Sequence, residues 1–238
     1  MQKRDILSIT DLSPQETQDL LQDALNFKKQ WKGDRSGIPK PLKDKNVALL
    51  FEKASLRTKG AFMNAATALG GSPTYFAPDE VGLGKREPVS DVARVLPELA
   101  FDVIVARVYA HQALRDLAKY SKVPVINALS DLEHPSQILA DLMTILEIRG
   151  ELKGLNLAFI GDGNNNVTHS LALGCAQMGI DFSVAAPEGY EMNREIAAKA
   201  NALAHKGQSM VLETKDPKEA VKGADIVYTD TWVSMGQE

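Results

Sequence analysis

The chain has 238 residues, enough for one large or two modest domains, and its 44% hydrophobic and 24% charged content is ordinary for a globular protein. A formal net charge of −4 gives no reason to expect nucleic acid or an anionic membrane as partner, though it leaves room for a local cationic pocket. The single cysteine, Cys175, excludes an internal disulfide and fits a reducing compartment.

Taken in order, Met1–Asp11 is charged and lacks the apolar run of a signal peptide, and no later stretch reaches the ~18 consecutive apolar residues of a membrane helix. A soluble, cytoplasmic protein is expected. Ser13-Pro14-Gln15-Glu16 has the form of a capping box with proline at the first helical position, and Leu20, Leu21, Ala24 and Phe27 give the helix one apolar face. Gly37–Lys45, with two prolines, reads as a loop. From Val47 onward, short apolar runs at 47–51, 103–106 and 123–126 alternate with helical stretches near 56–69, 91–100 and 111–120, with Pro73–Ala77 a weaker strand. A long helix is expected over 135–149, with Leu139, Leu142, Met143 and Leu146 on its buried side. The alternation resumes with runs at 157–160, 182–186, 210–212 and 226–228, and helices near 167–178, 191–205 and 217–222. Cys175 shares helical spacing with Val167, Leu171 and Met178 and reads as a core residue. Strands separated by helices imply βαβ units, so the fold class is α/β with two Rossmann-like parallel-sheet domains, 1–150 and 151–238, joined by the helix 135–149.

In open parallel sheets, ligands bind beyond the carboxyl ends of the strands, and that is where the unusual residues fall. After the first strand comes Phe51-Glu52-Lys53-Ala54-Ser55-Leu56-Arg57-Thr58-Lys59, with Ser55 a helix N-cap and two cations in the first turn. The macrodipole disfavours cations there unless an anion, usually phosphate, binds with them; a solvated basic turn accounts for them as well. Arg107 follows the next strand. His134 precedes Pro135, which makes it the N-cap of the long helix and puts Gln137 at the third helical position. An imidazole and an amide side by side suit a carbonyl oxygen and an amino group, although a plain capping histidine is the simpler account. Gly161-Asp162-Gly163-Asn164-Asn165-Asn166 starts like a dinucleotide fingerprint but has Asn166 where the third glycine belongs, and Glu188 stands near the position of a ribose-binding acid. The asparagines also suit turn and cap geometry. Thr229-Asp230-Thr231-Trp232-Val233-Ser234-Met235-Gly236 closes the last strand with an acid and a hydroxyl suited to an ammonium and a carboxylate, and an ordinary polar loop accounts for it as well.

Together these four clusters resemble the aspartate/ornithine transcarbamoylase family, and its ornithine branch in particular. Phe51–Lys59 is similar to the Ser-Thr-Arg-Thr-Arg carbamoyl-phosphate signature, and His134-Pro135-Ser136-Gln137 with Asp141 to the second carbamoyl-phosphate motif. Gly161–Asn166 is similar to the Gly-Asp-x-x-Asn-Asn turn, and Asp230–Gly236 to the ornithine-type amino-acid loop. The resemblance implies transfer of a carbamoyl group from carbamoyl phosphate to the δ-amine of L-ornithine, giving L-citrulline and phosphate in arginine metabolism. It implies a homotrimer, with no metal and no organic cofactor. It assigns Arg107, His134 and Gln137 as catalytic residues that also bind carbamoyl phosphate, together with Ser55, Leu56, Arg57 and Thr58, and it assigns Asn166, Asp230, Ser234 and Met235 to ornithine. Residues 1–150 would then be the carbamoyl-phosphate domain and 151–238 the ornithine domain.

Three departures from the family accompany this. Leu56 stands where the family has threonine, and Lys59 where it has arginine. The sequence ends at Glu238, before the family's His-Cys-Leu-Pro segment and final helix, so the second domain is expected to be incomplete. The alternatives are a transcarbamoylase for a modified ornithine or another amine, a non-catalytic carbamoyl-phosphate-binding relative, and, least favoured, a dinucleotide-binding oxidoreductase.

Overall fold

The computed structural model describes residues 3–231, and its two compact units are Met1–Leu7 with Asn26–Asp131, and Ser8–Leu25 with Leu132–Glu238. In chain order the elements are a 3₁₀ turn Ile9–Asp11, α1 Pro14–Lys32, β1 Asn46–Phe51, α2 Leu56–Ala68, β2 Ser72–Phe76, α3 Pro78–Val81, α4 Val89–Glu98, β3 Val103–Arg107, α5 His111–Tyr120 and β4 Val125–Leu129. They continue with α6 Pro135–Arg149, β5 Asn156–Ile160, α7 Asn166–Met178, β6 Asp181–Ala185, α8 Arg194–Gly207, β7 Val211–Thr214, α9 Pro217–Ala220 and β8 Ile226–Tyr228. Among the described residues no helix is long and apolar enough to cross a membrane.

The first unit is built on a parallel sheet in the order β2-β1-β3-β4. Successive strand residues point to opposite faces, and both faces are covered, which is why the strands read as unbroken apolar runs. Ala48, Leu50, Ile104 and Ala106 meet Ala93 and Leu96 of α4 and Leu114 and Leu117 of α5 on one face. On the other, Val47, Leu49, Phe51 and Val105 meet Phe62, Met63 and Ala66 of α2.

The second unit repeats the plan with the parallel order β7-β6-β5-β8. Its core gathers Ile9, Leu21 of α1, Leu157 and Phe159 of β5, Phe182 and Val184 of β6, and Ile196 and Ala200 of α8 around α7. Every residue of α7 from Val167 to Gln177 is buried, so this helix has no polar face to speak of. Gly174 lets it approach α6, because a Cβ there would lie 2.8 Å from Ile138 Cγ2.

Several sequence expectations need adjustment. The compact packing groups residues 8–25 and 132–150 with the second unit, whereas the sequence places its domain boundary after residue 150. The buried stripe of α6 is Ile138, Leu142 and Ile145, packed in that unit's core, while Leu139, Met143 and Leu146 flank it half-buried. β4 starts at Val125 rather than 123, because Ser121 closes a turn in which its Oγ accepts from the Val123 N–H at 3.1 Å. Arg107 is the last residue of β3 rather than the residue after it.

Candidate functional site

In the first unit the chain leaves β1 for β2 on one side of the sheet and reaches β3 on the other, so a topological switch point lies at the carboxyl ends of β1 and β3. Phe51 is in register with Arg107, and the Glu52 N–H donates to the Arg107 carbonyl at 2.8 Å, which carries the pairing past the strand. The register between β3 and β4 shifts between Ala106 and Arg107, an irregularity of the kind that re-aims a side chain. Arg107 Nη1 donates to Thr58 Oγ1 at 3.5 Å, and its buried Nε–H has no partner. Burial lowers the Arg107 pKa, and a buried unpaired donor costs about 1–3 kcal/mol until an acceptor arrives.

Thr58 sits in the first turn of α2, where Ser55 caps the helix by accepting from the Thr58 N–H at 3.3 Å. That turn holds Arg57 and Lys59 and no acid. Ser55, Arg57, Thr58 and Arg107 thus stand at one switch point as a cationic, donor-rich helix start suited to an anion. Leu56 is 89% exposed, and an apolar side chain in water there gives no packing reason for its presence. Lys59 places Nζ 3.5 Å from the centre of the Tyr75 ring, which itself lies edge-on to Phe51.

The second unit holds the remaining expected site residues. His134 is the α6 N-cap by position but makes no side-chain cap hydrogen bond, so capping does not account for it. Its backbone N–H donates to Ser170 Oγ of α7 at 2.9 Å, its ring Nδ1 lies 3.3 Å from Ser136 Oγ, and the residue is 7% exposed. The neighbouring Glu133, 2% exposed, accepts from the Ile9 N–H at 3.1 Å, and burial pushes its carboxyl above the usual range.

One turn into α6, Gln137 Nε2 donates to Asp141 Oδ1 at 3.0 Å, and the Tyr228 hydroxyl donates to Asp141 Oδ2 at 3.1 Å. Burial raises the Asp141 pKa and the nearby Asp230 charge adds to it, while the two donors oppose the shift. Burial, then the Asp141 charge, push the Tyr228 phenol well above its ordinary value. Tyr228 also stacks on Phe159 at 5.9 Å, its partner in the β5–β8 pairing.

β5 and β8 define the switch point of this second sheet, and the Gly161–Asn165 turn and Thr229–Asp230 follow their carboxyl ends. Asn165 Oδ1 caps α7 by accepting from Val167 N–H at 2.8 Å and Thr168 N–H at 2.9 Å, which leaves Asn166 as the first helical residue. Gly163 has a structural reason of its own: a Cβ there would lie 2.6 Å from the Tyr190 carbonyl oxygen. Glu188 pairs with Lys215 at 3.0 Å on the surface. Ser234 and Met235 lie outside the described residues. Among the described residues no cluster of three or more His, Cys, Asp or Glu side chains is arranged to hold a metal ion.

Sequence reading missed the parts played by Ser170, Glu133 and Tyr228. The Gln137–Asp141 pair was visible as an i,i+4 spacing on a helix. Tyr228 and Ser170 come from other elements, and no local pattern announces them.

Two parallel sheets, each with polar groups gathered at its switch point, and one of them cationic, define an α/β protein with sites for small polar and anionic ligands. Residues 4–147 match the family model described as aspartate/ornithine carbamoyltransferase, carbamoyl-P binding domain, and residues 153–238 match its Asp/Orn binding domain. The chain belongs to the aspartate/ornithine carbamoyltransferase family. It is 47% identical over 234 residues to ornithine carbamoyltransferase of Methanocaldococcus jannaschii, covering 98% of this chain and 75% of that protein. Among solved structures it is similar to ornithine carbamoyltransferase from Pyrococcus furiosus, with a TM-score of 0.93, 42% identity, and coverage of 99% of this chain and 74% of that one. The anabolic ornithine carbamoyltransferase from Campylobacter jejuni gives a TM-score of 0.88 at 38% identity, covering 98% of this chain and 75% of that one.

Proposed function

We propose that this protein transfers the carbamoyl group of carbamoyl phosphate to the δ-amine of L-ornithine, giving L-citrulline and phosphate. The observation that carries the reading is the near-whole-chain likeness to relatives named ornithine carbamoyltransferase. The cationic start of α2, with its unpaired Arg107 donor, supports it as a place for phosphate.

In this reading Ser55, Arg57, Thr58 and the Leu56 backbone N–H bind the phosphate and ease its departure. Arg107 contacts the phosphate and, with His134, the carbamoyl oxygen, while Gln137 holds the carbamoyl amino group. The neutral δ-amine adds to the carbamoyl carbon, the carbonyl oxygen takes up negative charge, and collapse breaks the C–O bond to phosphate, which leaves carrying the proton that the amine nitrogen gives up. Preorganised donors aimed at the developing oxyanion supply the largest share of the acceleration. Asn166, Asp230, Ser234 and Met235 hold the α-amino and α-carboxylate groups of ornithine, and fixing both substrates removes the entropic cost of their encounter.

Citrulline assay at saturating substrates, with carbamoyl-phosphate calorimetry beside it, tests the proposal. Citrulline forms with the wild-type chain, and Arg57→Ala cuts kcat/KM by roughly 100-fold or more with its circular dichroism unchanged. Heat of binding without citrulline would instead identify a non-catalytic binding protein, and citrulline-type product only from a modified ornithine would move the substrate. The cytoplasmic location, the place in arginine metabolism and the homotrimer belong to the same proposal and rest on the resemblance. Sedimentation equilibrium reads three chain masses if the assembly is right, and a single chain mass overturns it.

A further inference from the structure

A primary amide has two unlike ends, and a terminal amide side chain is useful to a ligand only if its orientation is fixed. Gln137 offers an N–H₂ that donates and an oxygen that accepts. The carbamoyl amino group has only N–H bonds to offer, so it needs the oxygen. An amide turned the other way would set donor against donor.

Three residues of the second unit bear on this choice. Asp141 lies one turn along α6 from Gln137, with its Oδ1 3.0 Å from Gln137 Nε2. Its other oxygen accepts from the Tyr228 hydroxyl at 3.1 Å. An ionised carboxylate only accepts, and donors on both of its oxygens, from the Gln137 amide and the Tyr228 hydroxyl, oppose the rise that burial imposes on its pKa. Only the N–H₂ end of Gln137 therefore fits against it, and among the described residues Gln137 Oε1 takes no hydrogen bond. Tyr228 is itself fixed by its place in β8 and by its stacking on Phe159.

We infer that Asp141 and Tyr228 are positioning residues that lock the Gln137 amide with Nε2 inward and Oε1 presented as the acceptor for the carbamoyl amino group. The inference rests on the carbamoyl-transfer reading above. It makes the pair a determinant of specificity: the amide orientation distinguishes a carbamoyl group from an acyl group of the same shape that carries CH₃ in place of NH₂. Acetyl phosphate is that probe, since it keeps the phosphate and the carbonyl and lacks only the amino donor.

The test measures dissociation constants for carbamoyl phosphate and acetyl phosphate by calorimetry on the wild-type chain, Asp141→Leu and Tyr228→Phe. Leucine keeps the branched outline of aspartate, though its methyl groups are bulkier, and removes the half-buried acceptor, after which the amide is free to turn. Asp141→Leu is expected to weaken carbamoyl phosphate by roughly 10- to 100-fold, the worth of one buried hydrogen bond to a ligand, and acetyl phosphate by less than about threefold. Tyr228→Phe keeps the carboxylate and loses only its support, so the same selective change is expected at roughly two- to fivefold. It also serves as the second variant if Asp141→Leu folds poorly. Equal weakening of both ligands would mean a general structural role and overturn the inference, as would an unchanged ratio in both variants. A wild-type chain that binds neither phosphate overturns the carbamoyl-transfer reading itself, a result distinct from either of these.

Discussion

At the scale of single residues, Lys59 is the informative departure from the family. Read from the sequence, lysine for arginine preserves the charge and loses the planar fork that grips two phosphate oxygens. In the fold Nζ sits 3.5 Å from the centre of the Tyr75 ring, so the cation on α2 has a partner on the neighbouring strand β2. A half-desolvated contact of this kind contributes about 0.5–2 kcal/mol. Lys59→Met keeps the aliphatic stem and removes the charge, and it is expected to lower stability to urea by about that amount. Lys59→Arg, which also stacks on aromatic faces, is expected to stay within about 0.5 kcal/mol of the parent. A Lys59→Met chain as stable as the parent would show that the ring contact contributes nothing. Leu56 has no such partner; nothing in the structure explains its exposed side chain.

Whole elements were legible wherever one periodicity ran unbroken. β1 and β3 are buried on both faces and therefore show as continuous apolar runs, and the helical stretch expected near 111–120 coincides with α5. α2 was legible through chemistry as well, since Ser55 caps it where a serine before a helical pattern should. The failures have physical causes of the same local kind. The 3₁₀ turn Ile9–Asp11 and α3 are shorter than any periodicity can reveal. On α6 the expected side shares Leu142 with the observed stripe, and its Leu139, Met143 and Leu146 pack half-buried beside it, because this helix is apolar over more than one face and a sequence window gives several equivalent stripes. Packing in the second unit's core selects Ile138, Leu142 and Ile145. The same limit applies to the candidate site. Residues at strand ends and helix starts were found because their position is set by their own element. Tyr228 and Ser170 were not, because their role depends on which other element lies opposite.

At the scale of the molecule, the sequence divides near residue 150 and so do the two family models, yet compact packing divides at 7/8, 25/26 and 131/132. A linear reading has no access to this, because Ile9 and Leu21 join α6 and α7 in one core despite more than a hundred intervening residues. Cys175 lies in that core at 0% exposure, and burial pushes its thiol far above the ordinary range. The thiolate is the reactive species, so both access and ionisation are withheld together as long as α7 stays packed. With one cysteine in the chain, its labelling becomes a clean report on the second unit alone. A disulfide reagent at pH 8 is expected to leave the native chain unmodified over an hour and to label one thiol per chain in denaturant. The labelling midpoint in urea should then track loss of the second unit's core. Its separation from the midpoint of Trp31 fluorescence in the first unit, read in a Trp232→Phe background because the chain has two tryptophans, measures whether the two cores melt as one. Fast, stoichiometric labelling of the native chain would mean that α7 is not the packed centre of its unit, and the positions of Ser170 and of the His134 N–H bonded to it would fall with it.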